Sequence, residues 1–180
     1  LFAVGASVTP QEKMHDMKKE QEMKGVQGAF LRQSMQIEQQ FVSLVDAIPQ
    51  EKYSWRPAEG VRSVAESFLH LARGNYAILM VMGAKMPEGV NPQTIETSAT
   101  DKKKIIEGIK LSFKAVNDYI GSVPDGDLNR QVDFFGRSVS VLDVIMLAAT
   151  HQHETLGQSI AYSRMVGVVP PWTAEREAKM

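Results

Sequence analysis

Three histidines in mainly apolar or helix-forming surroundings have the clearest capacity for chemistry. His70 lies within Ser67-Phe68-Leu69-His70-Leu71-Ala72, and His151 and His153 lie within Ala149-Thr150-His151-Gln152-His153-Glu154-Thr155-Leu156. A histidine buried among leucines and alanines needs a polar partner. Neutral imidazole is the commonest metal ligand, and helices that face one another can each bring one to a shared site. Ligands on one helix share a face at a spacing of three or four residues. A step of two turns the side chain by about 200°. His151 and His153 therefore diverge, and in an undistorted helix at most one of them joins His70. Glu154 is the i+3 neighbour of His151 and could supply an oxygen, whereas Thr155 stands one turn on, on the His151 face.

Each of these residues also has a plain structural reading. His70 and His151 could form a hydrogen-bonded core pair without metal, and His153 could be a packing or partly exposed histidine. Glu66 lies four residues before His70, where it could orient the ring from behind. A capping box, Ser63-Val64-Ala65-Glu66, accounts for it equally well. Gln158 and Tyr162 continue the His151 face and could line a pocket or satisfy each other between helices. Asn75, inside an apolar helix, has the same two readings. His15 sits in a charged run and reads as a surface histidine.

The elements that must position these groups are helices. Phe30, Ile37, Phe41, Leu44, Val45 and Ile48 recur on one helical face, which Pro49 terminates. A second helix runs from the Ser63 cap to about Met82, and a long connection holding Pro87, Gly89 and Pro92 follows it. A third carries Ile105, Ile109, Phe113, Val116 and Ile120. The alternating stretch Gln131–Val139 reads as extended chain or a small hairpin. A fourth helix starts at the Ser140-Val141-Leu142-Asp143 box and ends near Val166, before Gly167 and Pro170-Pro171. Long amphipathic helices with little strand signal predict an all-α fold, a four-helix bundle with a long crossover connection between helices 2 and 3.

With 180 residues, 43% of them apolar, the chain can bury one core. A net charge of −1 leaves no basic surplus for nucleic acid, and no run is long and apolar enough to span a membrane. The absence of cysteine excludes thiolate catalysis and cysteine-based zinc sites. Residues 1–26 read as an export-signal remnant and charged lead-in, with Val4 and Ala6 spaced like the −3 and −1 positions of a signal-peptidase site. A frayed terminus is the alternative for that segment. The expected bundle spans 27–172, followed by a polar tail over 173–180.

The run from His151 through Gly157-Gln158, Tyr162, Arg164 and Gly167-Val168-Val169-Pro170-Pro171 resembles the last helix of the DinB-like family. Trp55-Arg56-Pro57, followed by Ser63-Val64-Ala65-Glu66 and His70-Leu71, resembles its second helix. The resemblance covers roughly residues 27–172. It implies a four-helix bundle, often a homodimer, holding a divalent metal such as zinc or nickel on three histidines, one from helix 2 and two from helix 4 at i and i+4. By that pattern His70 and His151 fill two positions and the third falls on Thr155, whose hydroxyl is a poor ligand beside imidazole. Three outcomes stay open: metal held weakly by His70, His151 and water; metal completed by Glu154 or a shifted His153; or no metal.

Two functions follow from the resemblance. One is a metal-dependent transferase or hydrolase acting on a small molecule, in which the metal activates a bound thiol or water and Glu154 or Glu66 serves as base. The other is a non-catalytic DinB-like binding or stress-associated bundle that keeps the scaffold and a degenerate histidine site without metal.

Overall fold

The computed structural model describes residues 24–179. The expected export-signal remnant and His15 lie outside the described residues. Among the described residues, five α-helices and one two-stranded sheet follow in order: α1 (Gly25–Ala47), α2 (Val64–Met82), α3 (Lys102–Ser122), β1 (Gln131–Phe134), β2 (Arg137–Ser140), α4 (Val141–Met165) and α5 (Pro171–Glu177). Both capping boxes form. The Ser63 hydroxyl accepts from the Glu66 amide and the Ser140 hydroxyl from that of Asp143, with each acid reaching back to its cap amide. The short helix α5 occupies the stretch expected to begin a polar tail. Pro171 at its first turn has a fixed φ suited to a helix start and no N–H to leave unpaired.

Contacts at the helix ends fix the directions. The α1 end meets the α3 start, where Lys102 Nζ donates to the Asp46 carbonyl, and the Gln27 side chain near the α1 start donates to the Val123 carbonyl beyond the α3 end. These two helices are antiparallel. The Tyr119 hydroxyl donates to the Met82 carbonyl, so α2 and α3 finish at the same end and run parallel. The connection over residues 83–101 makes this possible by returning along α2, with a turn of 3₁₀ helix at Ile95–Thr97 packed against it. The main packing partners of both α1 and α2 are α3 and α4.

The core has two large apolar clusters and a small third one of Ala72, Tyr76 and Leu79. One large cluster gathers Phe41, Leu44, Tyr53, Phe68, Phe113 and their neighbours. The other gathers Phe30, Ile78, Met82, Ile120, Val144, Ile145 and theirs. Between them lies a polar waist. The Gln152 side-chain amide donates to Asn75 Oδ1 at 3.2 Å, Asn75 Nδ2 donates to Ser112 Oγ at 3.2 Å, and Ser34 Oγ donates to Asn117 Oδ1 at 2.6 Å. Every long helix thus contributes a polar side chain at this level. Asn75 is bonded between α3 and α4, and Gln152 Oε1 is buried without a partner.

Truncating Asn75 removes the acceptor of Gln152 and the donor to Ser112 together. A buried polar group left unpaired costs about 1–3 kcal/mol. Asn75→Ala is expected to destabilise the protein by about that amount in urea unfolding; an unchanged midpoint would show that the ladder contributes nothing.

Candidate functional site

The His70 and His151 rings meet edge to face between α2 and α4, with centroids 5.2 Å apart and planes at 79°. A glycine lets them approach. Gly74 lies one turn beyond His70, and a Cβ placed there would overlap Nε2 and Cδ2 of His151. The His151 imidazole occupies the space that any other residue at position 74 would fill. Its Nε2 is buried and has no hydrogen-bond partner. Burial is the largest influence on this imidazole and pushes its pKa below the ordinary 6.5; His70 alongside adds to the shift, while Glu154 opposes it.

The carboxylate that meets His70 is Glu96, from the 3₁₀ turn of the long connection, with Oε1 2.6 Å from Nδ1. Arg62 and Arg73 bond the same carboxylate at 2.9 and 3.0 Å. Burial alone would raise the Glu96 pKa, but hydrogen bonds from Arg62, His70 and Arg73 outweigh it and hold the carboxyl down to about 2. Glu66 is occupied elsewhere, accepting from the Ser63 amide at 2.6 Å and pairing with Arg56 at 3.3 Å.

The remaining candidates disperse. Thr155 is buried and its hydroxyl donates to the His151 carbonyl at 2.8 Å, back along its own helix. His153 is exposed, with Nε2 3.4 Å from Gln33 Oε1 on α1. Glu154 is exposed and, with His151, lines a cleft of about 190 Å³ bounded by Gly74, Ala77, Ile78 and Val81 of α2 and by Phe134 and Phe135 of the hairpin. Tyr162 packs edge to face on Trp55, centroids 5.8 Å apart, and Gln158 is half-buried one turn before it. Asn75 faces the waist. Among the described residues, no group of three or more His, Cys, Asp or Glu side chains is arranged to hold a metal ion. The donor set has the same shortfall: two imidazoles converge, and the third position on the His151 face is a hydroxyl already committed to the backbone. This arrangement does not fit a resident three-ligand metal.

Sequence reasoning passed over Glu96, Gly74 and Phe135. A glycine in mid-helix four residues after a histidine was a usable signal of close approach. Glu96 lies in an irregular connection with nothing local to tie it to His70.

The depressed Glu96 pKa makes its contribution depend on acid. The carboxylate stabilises the fold fully above its unfolded value, near 4.5, and the contribution is lost as pH falls towards about 2. Glu96→Gln should flatten the stability–pH curve in that window, and parallel wild-type and variant curves would refute the clamp. Gly74→Ala should expel the His151 ring towards solvent and raise its pKa towards 6.5, read by NMR titration; an unmoved His151 titration would contradict the overlap at this position.

The comparisons with known proteins agree on the fold. A profile of the DinB superfamily matches residues 35–159. Among curated proteins, none matches the chain. A DinB-like protein from Bacillus cereus ATCC 10987 superposes with a TM-score of 0.69 at 23% identity, over 79% of this chain and 93% of that one. A protein from Exiguobacterium sibiricum 255-15 assigned to the DinB family gives 0.63 at 21% identity, over 81% and 94%. A DinB-like protein from Bacillus subtilis gives 0.58 at 18%, over 77% and 92%. The profile match spans more than half of the sequence: the chain belongs to the DinB superfamily.

Proposed function

We propose that this DinB-superfamily chain is a four-helix bundle, with its long crossover between the second and third helices, that binds a small molecule and carries its histidine pair as the remnant of a metal site. The observation that carries the reading is Thr155. It stands where the resemblance calls for a third histidine, and its hydroxyl is bonded to the His151 carbonyl rather than directed to the imidazoles. The cleft beside His151 supplies a place for an organic ligand that needs no metal.

The competing reading is a metal-dependent transferase or hydrolase using zinc or nickel. One observation favours it: the Glu96 carboxylate on His70 Nδ1 is the arrangement that commonly orients a ligating imidazole and leaves Nε2 free to bind. Two imidazoles with solvent in the other positions would make a weak and exchangeable site.

Metal analysis separates the two readings. Protein loaded with excess zinc or nickel and then dialysed is expected to retain well under one equivalent, and Thr155→His is expected to bring retention up towards one. Stoichiometric metal in the unaltered protein would overturn the remnant reading. A Thr155→His variant that folds and still retains none would overturn the assignment of Thr155 as the missing position.

A further inference from the structure

The hairpin that closes the cleft is strained at its tip. Phe134 pairs with Arg137, leaving Phe135 and Gly136 as the two-residue turn. Phe135 has φ +52° and Gly136 φ +83°. Positive φ at both central positions is the turn that suits the strand twist, and it ordinarily takes Asn-Gly or Asp-Gly. A phenylalanine there is strained, because its Cβ crowds the backbone at positive φ. It also leaves a large apolar side chain 80% exposed. Neither cost has a return in the core: the Phe135 ring packs on Phe134, centroids 4.9 Å apart, and forms part of the cleft wall.

The cleft itself has a definite chemistry. Its volume of about 190 Å³ somewhat exceeds the roughly 150 Å³ apolar cavity that accepts benzene, so it suits one ring with a short substituent. Its wall is apolar except for His151 and Glu154, and no lysine or arginine lines it. The one formal charge on the wall is negative. The one imidazole turns its buried Nε2 onto the Gly74 backbone, out of a ligand's reach, so the polar group the cleft offers is the Glu154 carboxylate. That carboxylate complements an N–H donor bearing positive charge. Exposed aromatic faces also attract a cation.

We propose that this cleft binds a small hydrophobic amine, its apolar body against Ala77, Ile78 and Phe135 and its ammonium group towards Glu154. The inference rests on the reading of the chain as a small-molecule binding protein and adds the class of ligand. Phe135, held in its strained turn, forms the outer wall of that site.

The test uses the full chain, dialysed against chelator so that metal plays no part, titrated calorimetrically with phenethylamine, phenethyl alcohol and phenylacetate. The amine is expected to bind most tightly and the carboxylate least. Glu154→Gln should weaken the amine about tenfold while leaving the alcohol unchanged. Phe135→Asn should weaken amine and alcohol alike, by about threefold to tenfold, and raise the thermal midpoint because asparagine tolerates the turn. That rise separates a lost contact from a lost fold. Equal or tighter binding of phenylacetate, equal binding of all three probes, or no binding of any at millimolar concentration would overturn the amine assignment. Tight phenylacetate binding would leave the small-molecule reading standing, and the metal-retention measurement decides the remnant reading independently.

Discussion

The approach of α2 to α4 depends on an absent side chain. At Gly74 the His151 imidazole lies where a Cβ would be, so the spacing of these two helices is set by the thickness of a ring on bare backbone. The neighbouring features follow from that spacing. His70, one turn before Gly74, meets the His151 ring edge to face. Asn75, one residue on, reaches Gln152, the residue after His151. The outer side of the same contact forms the floor of the cleft. Reactive side chains and the structural waist are thus successive residues on the same two helices, turned to different sides by about 100° per residue.

The second constraint is the return of the chain along α2. Because α3 must start where α2 starts, the connection crosses the length of α2 and lays Glu96 against Arg62, His70 and Arg73. Three donors on one carboxylate fasten an otherwise irregular segment and fix one nitrogen of His70. The clamp therefore couples the course of the chain to the electrostatics of the histidine pair, although Glu96 belongs to no long helix.

Legibility in the sequence followed the range of the signal. Helix faces and capping boxes are local patterns, and Ser63, Ser140, Pro49 and Gly167 marked boundaries within a residue or two. The divergence of His151 and His153 follows from the angle per residue, and their partners, His70 and Gln33, are on different helices. The meeting of His70 with His151 was readable because each falls within a helix patterned for burial. Glu96 was not readable, since a carboxylate in a proline- and glycine-rich connection has many places to go until the path is known. The cleft was equally hidden. It needs a hairpin turn, two faces of different helices and a strained Phe135, none of which implies the others in sequence.

The parallel course of α2 and α3 also bears on how the chain reaches this state. Neither α1 with α2 nor α3 with α4 is among the main packed pairs, and α2 packs on α3 only after a connection of nearly twenty residues has doubled back. The described residues thus lack the consecutive antiparallel helix pair that ordinarily lets a helical protein form contacts early and locally. Most of its core is assembled between segments distant in sequence, which raises the contact order and slows folding relative to an up-and-down arrangement of equal size. The face of α2 that carries Gly74 is covered only by α4, so the histidine contact closes only when segments some eighty residues apart in sequence come together.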